Sequence, residues 1–549
     1  MLKIIPLGGF GEIGLNMMVF EYQNTIFIID AGLMFPEDYM LGIDIVIPDM
    51  TYLKQKKSHI SGIVITHSHE DHIGALPYLL KEVNAPVFGT PYTLGVIRKK
   101  LEEFGLLGTS SLHEIHPDEK LKIGIFELDF IRVNHSVIDC VGIAIKTPYG
   151  TIIHTGDFKM NHNPVDGMVT DVNKLAKYGG QGVLALLSDS TNVEKEGYTV
   201  SDQHVGQELE SIILNTSGRV IVALFASNVA RIQQLINIAN KKDSKVILNG
   251  RSIEMTVEIA KSLGHINIPD NMEIFINDIK NFPDNEILMI TTGSQGEPMS
   301  ALARMASDTH KQIKVKKGDT IILSSKFIPG NEKAITNIIN NLYRKGADVI
   351  YEKISNIHVS GHAFQEELKL MIGLTKPKFF IPAHGEYRHL LLHARLAEQT
   401  GIPPKNIILA ENGNIIEFDK NGGRISGSIE TSRVLIDGKG VGDVGRSVLK
   451  ERRFLSEEGV VVVTLVFDEE TGIVIHGPEI LSRGFVFWTE TGHLLDDAQC
   501  VVLEIIEDIG PEVPNRIEII QAKLQTALRQ YFYFTIKRRP VIIPVIMEL

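Results

Sequence analysis

Residues 66–74 read "THSHEDHIG" and crowd His67, His69, Glu70, Asp71 and His72 into one short stretch. Side chains that titrate compete for protons and repel one another at such spacing. A divalent cation removes the conflict, because it takes the place of the proton on a neutral imidazole nitrogen and balances carboxylate charge. Zinc accepts both donor types at about 2.0–2.2 Å. In His67-x-His69-x-Asp71-His72, alternation along an extended loop turns His67 and His69 the same way. Asp71 and His72 then lie at the turn into a helix expected to begin near Ile73, facing a second ion. Four ligands do not complete two sites, so other donors must come from remote segments. His135 in "RVNHSV", Asp157 in "HTGDFK" and His384 in "IPAHGE" each stand where a β run gives out. Asp30 also ends a β run, a position that turn and cap residues commonly fill. His59, His113, His116, His265, His310, His389, His393, His476 and His493 read as ordinary surface or core histidines.

Donors this scattered need elements that end together. "NTIFIIDAG" (24–32), "ISGIVITHSH" (60–69), "YGTIIHTGDFK" (149–159) and "GVLALLSDSTN" (182–192) are apolar strands that stop at polar residues. Loops at the ends of sheet strands are where a rigid scaffold presents function. From about 206 the pattern changes. "GRVIVALFASN" (218–228) is a strand, and "VARIQQLINIANK" follows with Val229, Ile232, Leu235, Ile236 and Ala239 on one helical face. Further strands alternate with helices expected at about 252–263, 298–306 and 331–345, which is the signature of a parallel α/β domain. "KPKFFIPAHGEYRHLLLHARLAEQTG" (376–401) returns to the first pattern, so one domain is interrupted by another. "IDGKGVGDVGR" (436–446) is glycine-rich and reads as a linker. Beyond it come two strands around an "EETG" turn, a helix at about 512–533 and a closing strand in "KRRPVIIPVIMEL".

The chain has 549 residues with 44% hydrophobic and 22% charged content, enough for two to four packed domains. No apolar run is long enough to span a membrane, and the glycine-containing N-terminus does not read as a signal peptide. Cys140 and Cys500 are the only cysteines, which excludes a disulfide framework and a cysteine zinc knuckle and favours a reducing cytoplasm. A net charge of −12 argues against broad nucleic-acid binding while leaving a local basic groove open.

His67-Ser-His69-Glu-Asp71-His72, with Asp30, His135 and Asp157 in order, resembles the metallo-β-lactamase fold. The α/β interruption, together with "SDSTN" around Asp189, "HVSGHA" around His362 and "PAHGE" around His384, resembles the β-CASP nucleases. "FASN", "TGSQGEP", "IPGNEKA" and the C-terminal "KRRP" extend the likeness over nearly the whole chain, to the bacterial ribonuclease J branch. The resemblance implies an α/β fold: an αββα sandwich (1–205 and 369–430) interrupted by a β-CASP domain (206–368), then a linker (431–455) and an α+β assembly domain (456–549).

It also implies a metal-dependent ribonuclease with two divalent ions per chain, zinc or manganese. His67, His69 and His135 hold one ion; Asp71, His72 and His384 hold the other; Asp157 bridges them. Asp30 orients ligands from behind. Asp189 orients a histidine or the attacking water, and His362 is the general acid or a phosphate contact. His358, Ser360, Gly361, His362, Ser227 and Asn228 line a phosphate pocket. A hydroxide activated by both ions attacks in line, and the leaving 3′-oxygen takes a proton. The implied modes are 5′-to-3′ exonuclease action favouring a 5′-monophosphate and endonuclease cutting, in RNA decay and maturation of rRNA and mRNA. The implied partners are RNA, a second copy in a homodimer or homotetramer through the C-terminal domain, and a paralogous subunit or other RNA-decay proteins; no membrane is involved. Ser68 replaces a usual glycine without removing a ligand, and Phe364 replaces an expected small polar residue near the phosphate pocket. Arg231 and Arg251 read equally as charge partners of RNA or as surface arginines. For Lys537, Arg538 and Arg539 a solvated basic face is preferred. Two other readings share the metal cluster: a small-substrate metallo-hydrolase, which has no use for the inserted domain, and a weakly active scaffold paralogue, which has no use for a complete ligand set.

Overall fold

The computed structural model describes residues 1–295, 297, 299–325, 331–352, 354–355, 357, 359–486 and 493–549. His358, parts of "TGSQGEP" and the first residues of "IPGNEKA" lie outside them. The described chain divides into two compact units: residues 1–34 with 47–434, and residues 35–46 with 435–549.

In the first unit two sheets pack face to face. One has eight strands in the order Gly422–Ser428, Asn414–Asp419, Leu2–Gly8, Met17–Tyr22, Thr25–Ile29, Ile60–Val64, Val87–Gly89 and Leu112–Glu114. The other has six, in the order Pro377–Ala383, Val183–Asp189, Gly150–His154, Val141–Thr147, Phe126–Arg132 and Lys120–Ile123. Alternate residues point inward as the pleat requires. Phe27 lies against Phe20 with ring centroids 4.9 Å apart and meets Phe126 of the opposite sheet edge-on at the same distance. Ile143, Leu187, Ile381 and Phe418 continue this core.

Parallel pairing sets the positions of the loops that matter. Gly150–His154, Val183–Asp189 and Pro377–Ala383 run side by side in parallel, with Asp189 opposite Ala383. Thr25–Ile29 and Ile60–Val64 do likewise, with Ile29 opposite Val64. Asp157, Asp189 and His384 therefore emerge from one edge of one sheet, and Asp30 and His67 from adjacent strands of the other.

The interrupting domain is a five-stranded, wholly parallel sheet in the order Lys245–Asn249, Ile287–Thr291, Val220–Ala223, Thr320–Leu323 and Asp348–Ile350. Its central strands are apolar on both faces, as helix-covered parallel strands must be. Helix Val229–Lys241 buries Val229, Ile232, Leu235, Ile236 and Ala239, the expected face. The helix expected from about 298 is Ala301–Ala306, because the Ser300 side chain caps it at Ala303 N. The helix expected near Ile73 is instead Glu70–Ile73, followed by Leu76–Glu82. The His69 carbonyl already accepts from His72 N and Ile73 N, so Asp71 and His72 leave a helical turn and not a loop.

The second unit contains the sheet Val474–Arg483, Val460–Phe467 and Val541–Glu548, covered on one face by helices Leu494–Asp508 and Arg516–Ile536. The stretch 431–455, expected as a linker, holds strands Arg433–Asp437 and Gly440–Val441 and the start of helix Arg446–Glu458. Gly438 turns between the strands at φ +58, so the glycines serve a hairpin. Residues 35–46 join this unit through Asp44 N to Ile436 O (2.9 Å) and Arg452 Nη1 to Leu41 O (2.9 Å). No described helix is long and apolar enough to cross a membrane.

Candidate metal centre

Every remote donor named from the sequence and described in the structure reaches the histidine-rich turn. His67 Nε2 and His135 Nε2 each lie 3.1 Å from His69 Nδ1. Asp157 Oδ2 stands 3.8 Å from both of those Nε2 atoms and 3.2 Å from His72 Nε2. His384 Nε2 lies 3.4 Å from Asp71 Oδ2, and its Nδ1 lies 3.5 Å from Asp157 Oδ1. Three overlapping sets result, each with ligand atoms within 4.8 Å of one another: His67, His69, His135 and Asp157; Asp71, His72, Asp157 and His384; Asp157, Asp189, His362 and His384.

Hydrogen bonds behind the rings decide which nitrogen faces inward. Asp30 accepts from the Thr66 amide (2.8 Å) and hydroxyl (2.9 Å) and from His72 Nδ1 (2.8 Å). The Thr66 hydroxyl, its proton given to Asp30, accepts from His67 Nδ1 at 3.1 Å. His135 Nδ1 donates to the Gly361 carbonyl at 2.7 Å. The Nε2 lone pairs of His67, His72 and His135 are thereby aimed at one space. A Cβ on Gly361 would come within 2.6 Å of the His135 ring, so only glycine permits that approach. Asp30 and His384 hold left-handed backbone at φ 62 and φ 52, a conformation that non-glycine residues keep only where the surroundings impose it.

The donor set fits cations. Asp157 Oδ2 is buried and accepts no aligned hydrogen bond among the described residues. Imidazole lone pairs and a carboxylate oxygen facing one another at these distances repel unless a proton or a metal lies between them. A cavity of about 20 Å³ bounded by Asp30, His72, Asp157, Asp189 and His384 adjoins them, a size near that of a water molecule or ion. Burial drives protons off His67 and His135, whose pKa values fall well below the usual histidine range, and lowers His69 to about 4. Burial also opposes charge on His72 and His384. The carboxylates outweigh it: Asp157, Asp71 and Asp30 raise His72 well above its usual value, and Asp157, Asp189 and Asp71 raise His384 to about 10. Asp157 is held well below the usual carboxylate range, its burial overcome by His384 and His72.

His362 stands beside the cluster. Its Nδ1 bonds Asp189 Oδ2 at 2.8 Å. Burial lowers its pKa, but Asp189 and then Asp157 more than compensate and raise it. Ser360 Oγ accepts from His362 N at 3.3 Å, and Asn192 Nδ2 donates to the His362 carbonyl at 3.1 Å. Ser227 Oγ reaches to 3.4 Å from His69 Nε2. Asn228 spends its side-chain oxygen capping its own helix at Arg231 N (3.1 Å), which leaves its amide NH₂ for a ligand. Arg231 is buried with Nη2 3.5 Å from Asp202 Oδ1, and Arg251 pairs with Glu103, so neither arginine faces the cluster as a free cation. Phe364 begins helix Gln365–Thr375 and lies under Lys195 Nζ, 5.0 Å from the ring centroid.

Several supporting residues escaped the sequence reading. Asn16 Nδ2 donates to the Asp71 carbonyl at 3.0 Å and stands 3.1 Å from His72 Nε2. Thr191 links Asp189 Oδ1 (2.8 Å) to His384 Nδ1 (2.8 Å). Glu367, fully buried, accepts from Met160 N (2.8 Å), Phe364 N (2.8 Å) and Thr199 N (3.0 Å) and so ties down the segment after His362. Thr66 and Thr191 adjoin motif residues and offered that signal; Asn16 and Glu367 offered none.

Cation binding should release protons, since a ligand nitrogen cannot hold both. His384 keeps its proton below about 10, so affinity for zinc or manganese rises with pH toward that value. Calorimetry in buffers of different ionisation enthalpy measures the release. A proton count near zero and a pH-independent affinity would contradict this geometry.

Comparison with known proteins agrees over the whole chain. Four family descriptions match: "Metallo-beta-lactamase superfamily" at residues 11–196, "Ribonuclease J, beta-CASP domain" at 217–342, "Zn-dependent metallo-hydrolase RNA specificity domain" at 346–409 and "Ribonuclease J C-terminal domain" at 447–549. Ribonuclease J2 of Bacillus subtilis is 42% identical over 548 residues, covering 100% of this chain and 99% of that protein. Ribonuclease J 1 of Streptococcus pyogenes is 43% identical, covering 99% and 97%, and ribonuclease J of Thermus thermophilus 42%, covering 100% and 95%. A crystal structure of a protein of unknown function from Enterococcus faecalis shares the fold, with a TM-score of 0.51 at 14% identity over 79% of this chain and 100% of that one.

Proposed function

Because the chain belongs to the ribonuclease J family and is a hydrolytic, metal-dependent ribonuclease, we propose that it removes nucleotides from RNA 5′ ends, favouring a 5′-monophosphate, and also cuts internally. Its role is RNA decay and the maturation of rRNA and mRNA, in the cytoplasm. The observation that carries the reading is Asp157 Oδ2, buried without an aligned hydrogen bond and facing the Nε2 atoms of three histidines.

His67, His69, His135 and Asp157 would hold one divalent ion, and Asp71, His72, His384 and the shared Asp157 a second. The histidine-rich set suits zinc, with manganese as the alternative. Bound there, the ions supply a water of lowered pKa and positive charge against a phosphate. The chain's own groups do the rest. Asp30 and Thr66 hold the ligand rings, and Thr191 with Asp189 holds His384. Asp189 fixes Nδ1–H of His362, which leaves Nε2 to hand a proton to the departing 3′-oxygen. Asp189 and Asp157 raise the pKa of His362 against its burial, which favours the protonated imidazole. Ser360, Gly361 and His362 on one side, with Ser227 and Asn228 on the other, offer hydroxyl, amide and imidazole groups to the phosphate oxygens. His358 is assigned to the same pocket from the sequence alone.

A chelator should abolish cleavage of 5′-labelled RNA, and zinc or manganese should restore it. Asp157→Ala should lose at least about 10³-fold and His362→Ala about 10²–10⁴-fold in kcat. Release of labelled mononucleotide marks the 5′ exonuclease mode and internal fragments the endonuclease mode. Undiminished turnover in Asp157→Ala, or cleavage indifferent to chelator, contradicts the reading.

We assign assembly to the C-terminal sheet, with a second copy of the chain as partner. One face is covered by helices, while Ile543, Val545, Met547 and Leu481 leave apolar side chains exposed on the other. Patches of this kind mark association surfaces. Ile543→Lys with Val545→Lys should shift a dimer or tetramer toward monomer in sedimentation velocity; an unchanged mass contradicts this assignment.

A further inference from the structure

A second cavity lies at the end of the parallel sheet that also presents Ser227. A cavity of about 420 Å³ opens beyond the carboxyl ends of strands Lys245–Asn249 and Ile287–Thr291, lined by Gly250, Arg251, Thr292, Met299, Ser300 and Arg304. In open parallel sheets, crevices at this end of the strands are where ligands bind. Val220–Ala223, whose continuation carries Ser227 to 3.4 Å from His69, is next to Ile287–Thr291, which is next to Lys245–Asn249. The cavity therefore opens at the same end of the sheet, one to two strand spacings (about 5–10 Å) from the strand that leads to Ser227.

Its charge is unbalanced. Arg251 Nη2 pairs with Glu103 Oε1 at 2.5 Å, and Glu103 also borders the cavity. Arg304 has no carboxylate partner among the described residues, and its Nε is buried without a hydrogen bond. Arg304 borders the cavity, and its planar guanidinium fork suits phosphate oxygens. Thr292 and Ser300 add hydroxyls. Met299 is 81% exposed and, with Met255, offers pliable apolar surface to a base.

The geometry points to a nucleotide subsite: Arg304, with Arg251, grips a phosphate of the same single-stranded RNA at a nucleotide neighbouring the one at the metal centre. This inference rests on the ribonuclease reading and adds where the strand runs. Short substrates that end before the cavity cannot use it; longer ones can. Each phosphate neutralised on a single strand steepens the salt dependence of binding by about 0.7 in log–log slope.

The test is steady-state cleavage of 5′-phosphorylated RNA by the metal-loaded enzyme, comparing wild type, Arg304→Gln and Arg304→Lys on a dinucleotide and on an oligonucleotide of about ten or more residues. Arg304→Gln should raise KM on the longer RNA about tenfold, against less than about twofold on the dinucleotide, and flatten the salt slope on the longer RNA by about 0.7. Arg304→Lys should recover part of that KM. Arg251→Gln alters an exposed side chain and should move KM in the same direction, which separates lost grip from a misfolded cavity. Equal losses on both lengths, or an unchanged salt slope, overturn the subsite while leaving the ribonuclease intact. Wild-type enzyme that cleaves neither RNA overturns the underlying reading instead.

Discussion

A buried carboxylate oxygen and the three imidazole nitrogens that stand 3.2–3.8 Å from it cannot coexist without positive charge between them. Burial removes the water that would screen them, and the rings cannot rotate away because their outer nitrogens are committed to Thr66, Asp30 and Gly361. The rest of the first unit makes sense as the scaffold that enforces this unfavourable meeting. Two sheets packed through Phe20, Phe27 and Phe126 hold strand ends from four regions of the chain against a repulsion that protons relieve in part and divalent ions relieve more fully.

The interrupting domain completes this arrangement. The Gly361 carbonyl fixes His135, His362 meets Asp189, and Ser227 approaches His69. All three contacts bring residues of the 206–368 segment onto ligands or neighbours of the first sandwich. A small-substrate hydrolase needs none of them. Their presence sets hydroxyl, imidazole and backbone groups of the inserted segment beside the metal-ligand cluster.

Much of this was legible in the residues. The histidine-rich turn, the strand-end positions of Asp30, His135, Asp157 and His384, and the helical face of Val229–Lys241 follow from periodicity and donor chemistry. The pairing of remote ligands does not: parallel register between Val183–Asp189 and Pro377–Ala383 is a tertiary fact, and it alone puts Asp189 beside His384. For the same reason Asn16 and Glu367 were invisible, since a lone amide or carboxylate carries no periodic signal. The glycines of 436–446 also carry a short hairpin. Positive-φ glycine serves a hairpin turn as well as a flexible tether, and nearby strand pairing decided between them.

Elemental analysis of the purified chain after exhaustive dialysis against metal-free buffer tests the central claim most directly. Two divalent ions per chain in the wild type, falling to one or none in Asp157→Ala while the variant stays folded, is the predicted result. A wild-type chain that holds no tightly bound divalent ion, or an Asp157→Ala chain that retains both, would contradict it.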